Sequence, residues 1–249
     1  MKAMLFAAGK GTRLKPLTDR HPKCLVTAGK ETLLEHGIQN LKRAGVTTIV
    51  INIHHFAEQI IDFVTSRDFG LEIELSAEKE LLETGGGLLF AAEHFRDEDS
   101  FLVCNSDIYS TLDLRTLLEY HHKSNQLATL AVSQRETSRY LRFNEQQLLV
   151  GWENCKTNEV VSWNQDPFET RAFNGIQVMS PKIFDYMTDM GERFSTIQVY
   201  LNAAQAGESI GAYPMDDSFW IDIGTVAKLE SLRTYLKTYQ GEDNNPRLD

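Results

Sequence analysis

The sequence predicts an α/β protein, with a mixed, mainly parallel sheet flanked by helices and carrying a small antiparallel insertion. Three observations carry this reading. Short apolar or β-branched runs alternate with amphipathic helical stretches through the first half of the chain. A glycine-bearing basic loop follows the first apolar run, and a stretch of short runs divided by polar turns interrupts the second half. The expected organisation is a single domain over residues 1–239, with the antiparallel insertion at about 140–172 and a loose polar tail over 240–249.

Ala3 to Ala8 reads as a buried first strand, after which periodicity is lost until Thr32. Thr32 to Ala44 carries Leu33, Leu34, Ile38 and Leu41 at helical spacing and is stopped by Gly45. Thr47 to Ile53 is a continuous β-branched run, which is how a strand buried on both faces reads. A helix over Phe56 to Val64 and a strand over Leu71 to Leu75 follow, giving the Rossmann-like order of a parallel sheet with right-handed crossovers. Glu83 to Gly87 then opens a helix, and a glycine cluster there is expected to leave backbone N–H groups open to a ligand. Ser100 to Asn105 is a further strand that delivers Asp107 just beyond its carboxyl end, where ligands of open α/β sheets bind. A helix over Leu112 to His122 and a strand over Leu127 to Val132 lead into the antiparallel stretch, Tyr140 to Trp163. Phe173 to Met179 returns as a core strand; helices near Pro181 to Met190 and Ser195 to Ala206, strands at Ile210 to Tyr213 and Phe219 to Ile223, and a helix from Val226 complete the reading.

The net charge of −10 over 249 residues is unevenly spread. Met1 to Lys23 holds six Lys or Arg against one acid, Asp19. An acidic chain that concentrates positive charge in one loop after a strand is built to hold a small polyanion there, most simply a nucleoside triphosphate. The acidic remainder argues against a nucleic-acid or anionic-membrane partner. The three cysteines are odd in number, widely spaced and set among apolar neighbours, so reduced core thiols and a cytoplasmic location are expected, without a signal peptide or membrane span. The pairs His54-His55 and His121-His122 have no flanking ligand at metal-binding spacing and read as surface or loop histidines. A monomer or weak homo-oligomer is expected.

The loop reads Gly9-x-Gly11-x-Arg13-x-x-Pro16-x-Thr18-x-x-x-Pro22-Lys23. It is not a dinucleotide fingerprint, since Leu14 stands where the third glycine belongs, and it lacks the Gly-Lys-Ser/Thr of a P-loop. Gly9 and Gly11 permit close backbone approach to a triphosphate, and Arg13 and Lys23 bracket its charge. Asp107 and Asp222 both end strand-like runs, and two hard carboxylates beside a phosphate loop suit Mg2+, which usually takes one or two carboxylates together with substrate phosphates.

This loop resembles the signature of the sugar-1-phosphate nucleotidylyltransferases, and the resemblance runs from Met1 to about Tyr239. Asn105-Ser106-Asp107 and Trp220-Ile221-Asp222-Ile223-Gly224-Thr225 resemble the two segments whose aspartates bind the catalytic magnesium in that family. Leu82-Glu83-Thr84-Gly85-Gly86-Gly87 resembles the segment that passes along base and sugar. The resemblance implies transfer of a nucleotidyl group from an NTP to a sugar 1-phosphate, with Mg2+ on Asp107 and Asp222 and with Arg13 and Lys23 as catalytic cations. It further implies nucleotide contacts at Ala8, Gly9, Gly11, Thr12, Arg13, Glu78, Gly85, Gly86 and Asn105. Sugar-phosphate contacts are implied at Lys23, Glu83, Asn174 and Gly175. The family's usual Glu-Lys pair and Asn-x-Gly are replaced here by Glu169-Thr170-Arg171 and Asn174-Gly175, away from the glucose pattern. Length and the Leu-Glu-Thr-Gly-Gly-Gly run look most like compact N-acetylmuramate-1-phosphate uridylyltransferases, with mannose-1-phosphate guanylyltransferases as the alternative. A glycosyltransferase that consumes a nucleotide sugar, or a non-catalytic nucleotide-sugar sensor, are rival expectations.

Overall fold

β1 (Lys2–Phe6) lies between two parallel neighbours, and its alternation sends Ala3 and Leu5 into one apolar layer and Met4 into the other. The structure is a computed structural model and describes residues 1–164 and 167–240; the expected tail beyond Gln240 lies outside the described residues. After β1 the chain makes three short 3-10 turns, Thr12–Leu14, Leu17–Asp19 and Lys23–Leu25, and a small ribbon of β2 (Thr27–Ala28) and β3 (Glu31–Thr32).

α1 (Leu33–Arg43) begins with a capping box between Thr32 and Glu35, which is why the helix starts where the loop ends. The α/β alternation follows as β4 (Thr48–Ile53), α2 (Ala57–Thr65), β5 (Glu72–Ala77), α3 (Glu83–Phe90), β6 (Phe101–Asn105), β7 (Ile108–Ser110), α4 (Leu114–Ser124) and β8 (Ala128–Ser133). The antiparallel stretch is β9 (Arg139–Phe143), β10 (Leu149–Asn154) and β11 (Glu159–Ser162), returning through the long β12 (Glu169–Met179). A 3-10 turn (Pro181–Tyr186), α5 (Thr196–Gln205), β13 (Ile210–Pro214), β14 (Trp220–Asp222) and α6 (Val226–Gln240) complete it.

The main sheet runs β11-β10-β9-β12-β6-β1-β4-β5, with β8 and β13 attached beside β12. β6, β1, β4 and β5 are parallel, as are β8 and β13, whereas β12 is antiparallel to β6, β8 and β9. The insertion read from the sequence is therefore a continuation of the main sheet. β12 is long enough for its second half to pair in the core while its first half pairs with β9.

Three apolar clusters hold these layers. α1, α2 and α4 cover one sheet face through Leu34, Ile38, Ile60 and Leu117, and α3 and α5 cover the other through Leu88, Val199 and Tyr200. The third fixes the opening loop: Leu14, fully buried, packs with Val26, Ala28 and Leu33 beneath Ile223, Leu229, Leu232 and Leu236 around α6. Helix α6, late in sequence, thus clamps the early loop.

Two sequence expectations differ at the level of burial. Cys24 and Cys104 are buried thiols pushed up to about 12 by burial, but Cys155 is exposed, because its turn lies at the rim of the antiparallel strands. His121 is buried, not superficial, and its ring is hydrogen-bonded to Thr129. Among the described residues no helix is long and apolar enough to cross a membrane.

Candidate active site

The parallel register sets Asn105, Phe6 and Asn52 side by side at the carboxyl ends of β6, β1 and β4. Directly beyond that row is a cavity of about 470 Å³ lined by the first loop, residues 6–13, by Lys23, by Leu81, Glu83 and Thr84, and by residues 105–107 and Gly224. This is the position the parallel part of an α/β sheet offers a ligand, because the strands end there and the loops diverge.

The loop is shaped by two local constraints. Gly11 has φ +61°, and a Cβ there would come within 2.9 Å of Lys23 Cβ and 3.0 Å of Thr18 Cγ2. Its carbonyl accepts from Leu14 N at 2.9 Å and from Thr18 Oγ1 at 2.8 Å, which locks the turn. Gly9 is different: a Cβ would meet nothing within 4 Å, so no protein packing accounts for glycine at that place.

Ala8, Gly9, Gly11, Thr12, Arg13, Lys23, Glu83, Asn105 and Asp107 all line the cavity. Asp222 stands at its edge, where a Cβ on the cavity-lining Gly224 would come within 3.2 Å of Asp222 Oδ2 and 3.3 Å of Arg13 Nη2. A short ribbon brings the two aspartates together: β7 pairs with β14 so that Asp222 faces Ile108, and Ile223 N donates to Asp107 O at 2.7 Å. Each carboxylate holds a lysine ammonium, Lys23 on Asp107 and Lys228 on Asp222. These half-exposed hard oxygen donors, already satisfied by cations, fit Mg2+. Among the described residues no third His, Cys, Asp or Glu joins them, so further ligands to such an ion would come from substrate phosphates.

Five residues expected at the ligand are placed elsewhere. Glu78 is buried behind α3, where it accepts from Asn52 Nδ2 at 2.6 Å and from Leu82 N at 3.2 Å. Asn52 Oδ1 in turn accepts from Ala7 N at 2.7 Å, so Glu78 is linked to the cavity wall through Asn52. Gly85 and Gly86 do not present free N–H groups; both donate to Phe194 O, at 2.9 and 3.2 Å. Their missing side chains admit the 192–194 segment, since a Cβ on Gly86 would overlap the Glu192 carbonyl. Asn174 is fully buried, with its side-chain amide bonded to Ser133 and Arg135, and Gly175 packs on Asn105 and Ile108. Glu169 and Arg171 form an ion pair that extends to Asp216, a strut under the 134–135 segment, where Gln134 N donates to Asp216.

The sequence reading also missed residues. Asn52, Ser106, Thr84, Leu81 and Lys10 line the cavity, and Lys228 neutralises Asp222. Lys10 belongs to the positive charge read in the loop, and Asn52 left a signal of its own, an amide inside the otherwise β-branched run Thr-Ile-Val-Ile-Asn-Ile.

Residues 2–238 match the Nucleotidyl transferase family. The chain is 29% identical over 231 residues to a mannose-1-phosphate guanyltransferase of Yarrowia lipolytica, covering 90% of this chain and 61% of the relative. It is 29% identical over 244 residues to a UTP–glucose-1-phosphate uridylyltransferase of Synechocystis sp., covering 91% and 61%. The chain thus spans about three fifths of the length of these relatives. The fold resembles that of a UDP-glucose pyrophosphorylase from Acinetobacter baumanii at TM-score 0.78 and 17% identity, over 97% of this chain and 94% of that one.

Proposed function

Because the chain belongs to the nucleotidyl transferase family, we propose that it transfers a nucleotidyl group from an NTP to a sugar 1-phosphate. The observation that supports this best is the convergence on one cavity of the Gly9–Arg13 loop, Lys23 and the Asp107–Asp222 ribbon. A phosphate oxygen of the sugar 1-phosphate attacks the α-phosphorus in line. The new P–O bond forms as the bond to the bridging oxygen of the departing pyrophosphate breaks, and the electron pair leaves with pyrophosphate.

The nucleophile is already an anion at neutral pH, so the site needs no general base. Its task is to position two anions and offset their repulsion. Arg13 holds the departing pyrophosphate at the loop. Lys23, little exposed and anchored on Asp107, is the cation assigned to the α-phosphate and the incoming phosphate. The loop N–H groups after β1 orient the triphosphate, and the Glu78–Asn52–Ala7 chain fixes their frame. Asp107 and Asp222 would hold Mg2+, which when bound supplies charge neutralisation to the phosphates.

For substrates, the Leu82–Gly87 run supports UTP with N-acetylmuramate 1-phosphate, while the similarity to mannose-1-phosphate guanyltransferases supports GTP with mannose 1-phosphate. The test is a pyrophosphate-release assay with magnesium, run as a matrix of the NTPs against N-acetylmuramate, mannose, glucose and N-acetylglucosamine 1-phosphates. Release with one acceptor class is the expected result. No release from any combination overturns the transferase reading in favour of a sensor, and turnover of a nucleotide sugar with an acceptor alcohol favours a glycosyltransferase.

A further inference from the structure

Arg135, between β8 and β9, makes its direct contacts with neutral groups among the described residues. Its guanidinium lies over the Trp220 ring, 4.2 Å from the centroid. Nε donates to Asn174 Oδ1 at 2.9 Å and Nη2 to the Phe173 carbonyl at 2.8 Å. Both acceptors are neutral. Two other arginines of this region are differently served: Arg142 pairs with Glu153, and Arg171 pairs with Glu169 and Asp216. Among the described residues no carboxylate lies within ion-pair distance of Arg135. Burial pushes its pKa down, while the charge of Asp222 pushes it up.

Its place relative to the cavity follows from the strands. Trp220 and Asp222 are two residues apart on β14 and project from the same side, so the ring that carries Arg135 flanks the aspartate at the cavity edge. Asn174, which Arg135 grips, precedes Gly175, and Gly175 packs against the Asn105 side chain in the cavity wall. The segment is held before any ligand arrives, since the neighbouring Gln134 N donates to Asp216 Oδ1 at 2.6 Å and Asp216 is itself fixed by Arg171. A half-buried guanidinium, stacked, oriented by neutral acceptors and in direct contact with no carboxylate among the described residues, is suited to receive an oxyanion from outside the protein.

We propose that Arg135 binds an oxyanion of the sugar 1-phosphate and so selects the acceptor; this rests on the transferase reading above. The oxyanion comes either from a carboxylate carried on the sugar or from the phosphate itself, and the two are separable. Calorimetric binding, which needs no turnover, is measured for N-acetylmuramate 1-phosphate, N-acetylglucosamine 1-phosphate and UTP on wild type, Arg135→Gln and Arg135→Lys. Loss of a charge-assisted pair is expected to weaken acceptor binding about 10- to 100-fold in Arg135→Gln, with UTP binding unchanged and Arg135→Lys intermediate. A loss confined to N-acetylmuramate 1-phosphate identifies the sugar carboxylate, and an equal loss with both sugars identifies the phosphate. Unchanged acceptor binding, an equal loss for UTP, or a wild type that binds neither acceptor overturns the proposal. Should Arg135→Gln fail to fold, Arg135→Lys decides: it keeps the charge but loses the fork, and unaltered acceptor affinity overturns the assignment. Wild type that binds acceptors through Arg135 but releases no pyrophosphate would overturn the transferase reading while leaving this one standing.

Discussion

Glu78 accepts a 2.6 Å hydrogen bond from Asn52, and through that bond a carboxylate on the far side of the cavity wall sets the main chain of the loop after β1. Asn52 has one amide group to orient and two neighbours that fix it, Glu78 on Nδ2 and Ala7 N on Oδ1. Replacing Glu78 by Ala leaves Asn52 free to turn and Leu82 N without its acceptor. The expected outcome is about 1–3 kcal/mol of lost stability together with a weaker NTP KM, and Glu78→Gln should recover much of both. Denaturant unfolding and NTP-dependence of pyrophosphate release check this. A change in base preference in Glu78→Gln with stability unaltered would instead place Glu78 at the base.

Asp107 and Asp222 should behave as a pair. Each is partly exposed and satisfied by one lysine, so Asp107→Asn or Asp222→Asn should fold normally. Pyrophosphate release should fall by about 10³-fold or more in either, and the double variant should be little worse than the singles, as for groups acting as one unit. Near-wild-type turnover of Asp107→Asn would remove the metal assignment. Lys23→Ala should chiefly raise KM for the sugar 1-phosphate.

Gly9 and Gly86 separate ligand glycines from packing glycines. A Cβ on Gly86 overlaps the Glu192 carbonyl, so Gly86→Ala should cost about 1–3 kcal/mol and lower the thermal midpoint. A Cβ on Gly9 meets no protein atom, so Gly9→Ala should melt with wild type yet lose NTP affinity. Thermal melts and NTP titrations of the two variants read the contrast directly. Equal stability losses would show that the 192–194 segment yields to accommodate the methyl.

Two histidines make the fold acid-sensitive. His36, stacked on Tyr109 at 4.0 Å, and His121 are pushed down to about 4 by burial. Both are neutral in the folded protein, whereas in the unfolded chain they titrate near the ordinary 6.5. Above that value they leave stability unchanged. As pH falls from 6.5 towards 4 the unfolded state takes up protons the folded state refuses, so stability drops by up to about 1.4 kcal/mol per pH unit for each. Urea unfolding at pH 7.5, 6 and 5 should show this slope, and His121→Gln should reduce it.

The sequence by itself determined the α/β alternation, the placement of the basic loop at the carboxyl end of β1 and that loop's own share of the cavity lining, Ala8 to Arg13 with Lys23. Those features are local: β-branched runs, a capping box at Thr32, and the charge and glycine spacing from Gly9 to Lys23. Only the tertiary structure decided which glycines are required by packing, because the Gly85–Gly87 run is crowded by residues 192–194 and by Glu78, the former more than a hundred positions later. It also decided that Asn174 orients Arg135, which spacing could not reveal, since that contact depends on β8 pairing with β12 and on Trp220 of β14 donating to the Asn174 carbonyl. The joining of Asp107 to Asp222 likewise required the β7–β14 ribbon. Side-chain identity states what a residue can do, and long-range pairing fixes which of those options its neighbours leave open.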